Sequence, residues 1–195
     1  MNDPVPEAVE RRCDDLAYRL AVYEAGHALS ARALGLSILN ITMLPRPPVM
    51  ASDKVMRGSL LSALTSVLES RCIELFGGQI AEHHACHSAT VFSGDVARID
   101  ELCRLISGIE GRRTVEEVWF ELEDVAEAVF ADDAIRAAIL PLADFLFNEV
   151  EAGRPVVPGE KVEELLDGLV GPRAGKGSRG LAARILPKLR SRQPV

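Results

Sequence analysis

Several features that would place this chain in a familiar class are missing from its 195 residues. No run approaches the ~20 consecutive apolar residues that a membrane-spanning helix needs. The first twelve residues contain acids and prolines, without the apolar stretch that a signal peptide carries. We therefore expect a soluble, cytoplasmic protein that makes no contact with a membrane.

Cysteine pairs at metal-binding spacing are missing too. The four cysteines lie far apart in the sequence and form no CxxC pair. In a chain of this size they are most simply reduced thiols, three of them in apolar surroundings. These residues are Cys13, Cys72, Cys86 and Cys103.

Acidic residues are missing from the C-terminal end, and this absence sets the charge pattern. Residues 168–195 carry seven bases and no acid, which leaves residues 1–167 with 15 bases against 29 acids, or a net charge of −14. An acidic body of this kind disfavours general nucleic-acid binding. The basic tail could still contact a phosphate backbone, an acidic partner or its own body.

A nucleotide-binding loop is also missing. The segment from Gly175 to Ser178 (Gly-Lys-Gly-Ser) has suitable residue types, but the GxxxxGK[ST] spacing is absent and no apolar strand precedes it. We therefore predict no ATP site.

Length and apolar periodicity predict one mainly α domain with one short strand or a very small sheet. We expect this domain over residues 12–170, between a flexible N-terminal segment (1–11) and the basic tail (171–195). A strand is predicted over 37–44, a loop over 46–58 and an extended segment over 155–158. Helices are predicted over 14–34, 59–76 with a second part over 79–84, 95–106, 114–130, 133–151 with a break near Pro141, and 160–169.

One pentapeptide in the first predicted helix carries chemistry. Residues 23–27 read Tyr-Glu-Ala-Gly-His, which is the zinc-peptidase pattern HExxH with tyrosine in place of the first histidine. In that pattern two histidines at i and i+4 bind one Zn²⁺, and the glutamate activates the attacking water. The base position (Glu24) and the second ligand position (His27) are kept, whereas Tyr23 stands at the first ligand position.

Further segments strengthen this interpretation, because five of them occur in the order found in one family. The sequence resembles the peptidase domain of FtsH-type ATP-dependent zinc metallopeptidases over about residues 12–170. The segments are 21–29 (AVYEAGHAL), like that family's HEAGHAL; 41–46 (ITMLPR), like its strand ending in Pro-Arg; 76–82 (FGGQIAE), like its GGRxAE turn; 93–96 (SGDV), like the segment with its aspartate ligand; and 156–166 (VVPGEKVEELL), like its closing segment.

The resemblance implies an FtsH-peptidase-like helical fold and a role for each matching residue. Glu24 would be the general base, His27 a zinc ligand and Asp95 the third ligand. The sequence departs from the family in two respects. We expect no ATPase module, since no segment has the pattern of a nucleotide site. The first histidine ligand is also replaced, and Tyr23 could ligate only as a phenolate, although its ordinary pKa is about 10. Tyr23 as a core residue whose hydroxyl bonds Glu24 or Asp95 is the role that we favour.

A second histidine group offers another source of ligands. His83 and His87 have i,i+4 spacing just before the Asp95 helix, so one of them could complete the zinc site or bind a separate ion. Three functions remain open. The first is a degenerate peptidase that binds a peptide, an unfolded protein segment or a protein partner. The second is an active zinc peptidase with a rebuilt site and the third is an interaction module that uses the basic tail; an oligomer is possible with each.

Overall fold

The computed structural model describes residues 12–45, 48–54, 56, 60–87 and 93–172, and it is mainly helical with a small three-stranded antiparallel sheet. The predicted N-terminal segment 1–11 and nearly all of the predicted tail lie outside these residues. The helices are α1 (Leu16–Leu34), α2 (Leu61–Cys86), α3 (Ser93–Glu110), α4 (Val115–Phe130), α5 (Asp133–Ala137), α6 (Ile139–Glu151) and α7 (Gly159–Val170); the strands are β1 (Ile38–Thr42), β2 (Val49–Ser52) and β3 (Val156–Pro158). Within the described ranges no helix is both long and apolar enough to cross a membrane.

Helix α1 carries the peptidase-like motif and runs through the centre of the fold. The Asp15 side chain caps its first turn by accepting a hydrogen bond from the Ala17 N–H, and Gly35 ends it with a left-handed φ of 78°. Nearly every residue from Tyr18 to Ala33 is buried, because α2 covers one side of the helix and α6 another. The predicted helix over 14–34 and its stop at Gly35 are confirmed.

Helix α2 is continuous through Gly77 and Gly78, whereas two helical parts, 59–76 and 79–84, were predicted on either side of this glycine pair. The two glycines serve the packing of α2 against α1. A Cβ on Gly77 would lie 2.1 Å from Ser30 Oγ, and a Cβ on Gly26 would lie 2.1 Å from the Gly77 carbonyl oxygen. Only glycine lets the two backbones approach this closely, and the buried contact outweighs the low helix propensity of glycine.

The sheet has the strand order β2-β1-β3, with both pairings antiparallel. Residues 38–42 confirm the predicted strand, and residues 156–158 form a strand within the predicted extended segment. The sequence interpretation was wrong about β2, because residues 49–52 lie inside the predicted loop 46–58. A four-residue strand next to prolines has too little alternation to be recognised alone, and its pairing with β1 supplies the missing hydrogen bonds.

The second half of the domain packs α3, α4 and α6 around this core. The predicted helix over 114–130 is confirmed, and a capping box opens it: the Thr114 side chain accepts from the Glu117 N–H, and the Glu117 side chain accepts from the Thr114 N–H. The predicted break near Pro141 is confirmed as well, since α5 ends at Ala137 and α6 begins at Ile139, with Ala138 between them. Proline has no N–H to give to the preceding turn, so the second helix starts afresh just before it.

Two cysteines depart from the expectation of reduced thiols. Cys13, just before α1, and Cys86, at the end of α2, form a disulfide with their Cα atoms 5.6 Å apart. Cys72 and Cys103 are free and buried, as expected. The sequence spacing of 73 residues gave no sign of the pairing, because only the antiparallel packing of α1 on α2 brings these two ends together. Disulfides are typical of oxidising compartments and rare in the cytoplasm. The disulfide therefore does not support the predicted cytoplasmic location, which stays a prediction.

Candidate functional site

The three motif residues are buried on one side of α1, near its middle. Tyr23 is 2% exposed, Glu24 2% and His27 5%. Tyr23 and His27 are one helical turn apart, so their rings stack edge to face with centroids 4.8 Å apart. The arrangement that HExxH uses to aim two side chains at one point is therefore preserved, with a phenol in place of the first imidazole.

Asp95 joins this group from the first turn of α3. The Tyr23 hydroxyl donates a 2.7 Å hydrogen bond to Asp95 Oδ2, and His27 Nε2 lies 3.6 Å from the same oxygen. The structure thus brings together Tyr23, Glu24, His27 and Asp95. Tyr23 and Asp95, the two residues that this hydrogen bond joins, are 72 residues apart in the sequence. The favoured role of Tyr23, a core residue bonded to Asp95, is confirmed.

Burial and charge decide the protonation of the group. Burial raises the pKa of the Tyr23 phenol well above its ordinary value, and the neighbouring Asp95 carboxylate raises it further. Tyr23 is therefore a neutral hydrogen-bond donor. Burial acts to lower the pKa of His27, but the charges of Glu24 and Asp95 outweigh it, so the pKa of His27 is raised.

Two polar atoms of this group have no hydrogen-bond partner among the described residues. Glu24 Oε2 and His27 Nε2 are both fully buried and unpaired, and Glu24 Oε2 lies 3.7 Å from His27 Nδ1, too far for a hydrogen bond. Unpaired buried polar atoms are rare and call for an explanation, such as a ligand. Both residues also line a cavity of about 300 Å³, although these two atoms themselves are covered by protein.

The same cavity is also lined by apolar and basic side chains. Leu20, Val49 and Met50 contribute apolar surface, and Arg71 contributes a guanidinium. Arg71 donates through Nη1 to Glu74, a carboxylate with no exposed surface.

Glu74 is held by two further groups. It accepts from the Ser52 hydroxyl at 2.9 Å and pairs with the Lys54 ammonium at 2.8 Å. Glu74, Arg71 and Lys54 therefore carry one net positive charge, and Arg71 lines the same cavity as Glu24 and Asp95.

Gly78 packs directly against the motif. A Cβ at this position would lie 2.5 Å from His27 Nε2 and 2.6 Å from the Tyr23 ring. Any side chain at Gly78 would displace the two rings that face Asp95.

The donor set does not fit a catalytic zinc ion. Such a site needs three protein ligands around an open position. His27 Nε2 is unpaired and near Asp95 Oδ2, as two ligands of a common ion would be, but the first ligand position holds a neutral phenol that donates a hydrogen bond to that same oxygen. Within the described part of the chain no group of three or more His, Cys, Asp or Glu side chains is arranged to hold a metal ion.

The histidines proposed as alternative ligands lie elsewhere. His83 and His87 are exposed near the end of α2, and His87 ends that helix with a left-handed φ of 53°. Gly78 faces His27, and His83 follows five residues later, about 140° further round the helix. The structure therefore does not bring either histidine to the motif.

Sequence reasoning missed several residues in and behind the cavity lining. Arg71, Lys54, Met50 and Val49 come from α2, β2 and the residues after β2, and none stands in a motif. The pairing of Lys54 and Arg71 with one buried glutamate depends on the position of β2, which the sequence did not reveal. No known family model and no curated protein matches this chain.

Proposed function

We propose that this protein is a degenerate FtsH-type peptidase domain that binds a peptide or a protein segment without zinc chemistry. The observation that carries the proposal is the hydrogen bond from the Tyr23 hydroxyl to Asp95 Oδ2. It fastens α3 to α1 through the two residues that the resemblance assigns as first and third metal ligands. A neutral phenol can link the two helices in this way without a metal ion. The resemblance to the family implies the helical fold in which this hydrogen bond lies.

The cleft next to this hydrogen bond suits an extended peptide. β2 pairs with β1 alone among the described strands, which leaves the other edge of β2 without a described partner. Val49 and Met50 of this strand line the cavity that holds Glu24 and His27. A peptide that adds a strand to β2 would gain backbone hydrogen bonds and place one side chain in the cavity.

The proposal is tested by the metal content of the purified protein after chelator treatment and dialysis against zinc. We expect far less than one zinc ion per chain in the wild type. Tyr23→His restores the missing imidazole and should raise the zinc content. The matched control is Tyr18→His, because Tyr18 is also buried on α1 and bonds an aspartate, Asp144, at 2.7 Å, yet lies away from His27. Near-stoichiometric zinc in the wild type that disappears in His27→Ala would refute the proposal.

An active zinc peptidase with a rebuilt site is the second candidate. The unpaired atoms Glu24 Oε2 and His27 Nε2 favour it, because a general base and a ligand would present such atoms to a metal and its water. His27 and Asp95 would then hold the ion with Tyr23, which would have to lose its proton and its hydrogen bond to Asp95 and ligate as a phenolate. The test is zinc-dependent cleavage of an unfolded protein: cleavage that Glu24→Gln abolishes supports this candidate, and its absence in a zinc-loaded sample excludes it.

A further inference from the structure

Helix α4 presents an aromatic side chain on a face that no described element covers. Phe120 is 62% exposed, more than any other aromatic side chain in the described part of the chain. The helix is fixed to α2 by its inner face, where the Trp119 ring packs edge to face on Phe76. One exposed apolar residue is ordinary by itself, so the surroundings of Phe120 decide whether this face is an interaction surface.

These surroundings are acidic. Helix α4 contains six acids and no base, so its net charge of −6 is the largest among the helices given above. The acid Glu121 pairs with Arg113, whereas none of the other five forms an ion pair with a described base. At 3.6 residues per turn, these five acids lie within about 60° of Phe120 around the helix axis. They are Glu116, Glu117, Glu123, Asp124 and Glu127.

The carboxylates around Phe120 repel one another. Burial raises the pKa of Glu123, and the neighbouring charges of Glu127 and Asp124 raise it further. Bases placed over this face would relieve the repulsion, and an apolar residue between the bases would remove Phe120 from water. The outer face of α4 therefore fits a basic segment that carries apolar side chains at its centre.

The chain itself contains such a segment beyond the described residues. Residues 184–192 read Arg-Ile-Leu-Pro-Lys-Leu-Arg-Ser-Arg, with four bases around the large apolar side chains of Ile185, Leu186 and Leu189, and no acid. The whole end of the chain has a charge opposite to that of the body, since residues 168–195 carry +7 and residues 1–167 carry −14. The segment thus matches α4 both in charge and in its apolar centre.

The tail leaves the domain at a point from which it can reach α4. The Gly171 carbonyl oxygen accepts a 2.7 Å hydrogen bond from Arg32 of α1, which also pairs with Glu163 of α7. Helix α1 packs on α2, and α2 packs on α4, so α7 and α4 are about three interaxial distances apart, or about 24–30 Å. Twelve residues, 172–183, span at most about 40–43 Å when extended, which is enough to bring the next residues to α4 of the same chain.

We propose that residues 184–192 dock on the outer face of α4, with their apolar side chains over Phe120 and their bases on the surrounding carboxylates. Each exposed ion pair changes an equilibrium constant by a factor of only about 1.4–5, so the free segment would bind weakly. The covalent connection offsets this weakness, because a short linker holds its end at a millimolar effective concentration. The tail is then an intramolecular ligand of the domain, and this inference does not depend on the proposed function.

Paramagnetic broadening of NMR signals tests the docking on the full chain. Ser191→Cys accepts a nitroxide label in the segment, whereas Cys72 and Cys103 are buried and the other two cysteines form the disulfide. We expect the amide signals of α4 around Phe120 to lose most of their intensity, relative to the same sample after ascorbate reduces the label. Salt at about 1 M, where the Debye length is about 3 Å, should restore them. Unchanged α4 signals, or broadening spread evenly over the acidic body, would overturn the inference.

Variants separate docking on α4 from a general attraction between a basic tail and an acidic body. Phe120→Ser and the pair Glu116→Gln/Asp124→Asn should each restore the α4 signals. The matched control is Glu160→Gln/Glu164→Gln, which removes two exposed charges from α7, near the start of the tail, and should leave the broadening unchanged. Equal restoration by the control pair would overturn the inference. So would equal broadening between chains, in a mixture of isotope-labelled chains without nitroxide and nitroxide-labelled chains without isotope, because the docking would then join two copies.

Discussion

The Cys13–Cys86 disulfide should make a large contribution to stability. It closes a loop whose ends are 73 residues apart in the sequence. In the chain-entropy description, a loop of this length restricts the unfolded chain by about 4.4 kcal/mol at 25 °C. The native state should change little on reduction, because the helix contacts on both sides of the bond, such as the 2.6 Å ion pair of Arg19 with Glu82, do not involve sulfur.

The measurement is chemical denaturation of the wild type with and without dithiothreitol, beside the Cys13→Ser/Cys86→Ser double variant. We expect reduction and the double substitution to lower the free energy of unfolding by similar amounts, about 3–5 kcal/mol. Dithiothreitol should not change the double variant, which is the internal control. A thiol assay under denaturing conditions should count two thiols before reduction and four after it, since Cys72 and Cys103 are free. Four thiols without reductant, or unchanged stability on reduction, would refute the reasoning.

Three more predictions concern single positions. Gly77→Ala should destabilise the fold by about 1–3 kcal/mol or more, because the new Cβ would lie 2.1 Å from Ser30 Oγ. Gly108→Ala is the control and should stabilise α3 by about 0.5–1 kcal/mol, because its Cβ meets nothing within 4 Å. Thermal and denaturant unfolding compare the two variants, and equal effects would contradict the close-packing argument. Arg113→Met should lower the free energy of unfolding by about 3–5 kcal/mol in the same assay, since Arg113 is 8% exposed and pairs with three glutamates from α2, α3 and α4. A change under about 1 kcal/mol would contradict the argument that these carboxylates depend on the charge of Arg113. NMR titration should place the pKa of His27 above 6.5 and the pKa of His84, which is lowered chiefly by burial, below 6.5. The contribution of His27 to the free energy of unfolding is then present at low pH and lost as pH rises through the raised pKa, whereas the contribution of His84 is lost as pH falls below about 6.5. The reverse order of the two pKa values would contradict the surroundings assigned to these histidines.

Much of the helical framework could be predicted from local patterns. The helix over 14–34 and the one that begins after Thr114 are defined by apolar spacing, by the stop at Gly35 and by a capping box. These signals act within one or two turns, so tertiary contacts seldom override them. The short strand β2 and the unbroken course of α2 could not be predicted this way, because a partner strand and a partner helix decide them.

The candidate site divides along the same line. The sequence by itself identified Tyr23, Glu24 and His27 on one helix, and the resemblance added Asp95 from a distant segment. Chain distance carries no information about the Tyr23–Asp95 hydrogen bond, the Arg71–Glu74–Lys54 cluster or the Cys13–Cys86 disulfide. The local periodicity of the sequence determined a helical domain with a peptidase-like motif. The tertiary structure alone decided that the Tyr23 phenol is hydrogen-bonded to Asp95 and that the motif lines a cavity with side chains of both charges. The physical reason is that α1 packs antiparallel to α2, with α3 and β2 beside them, and only this packing brings those side chains together.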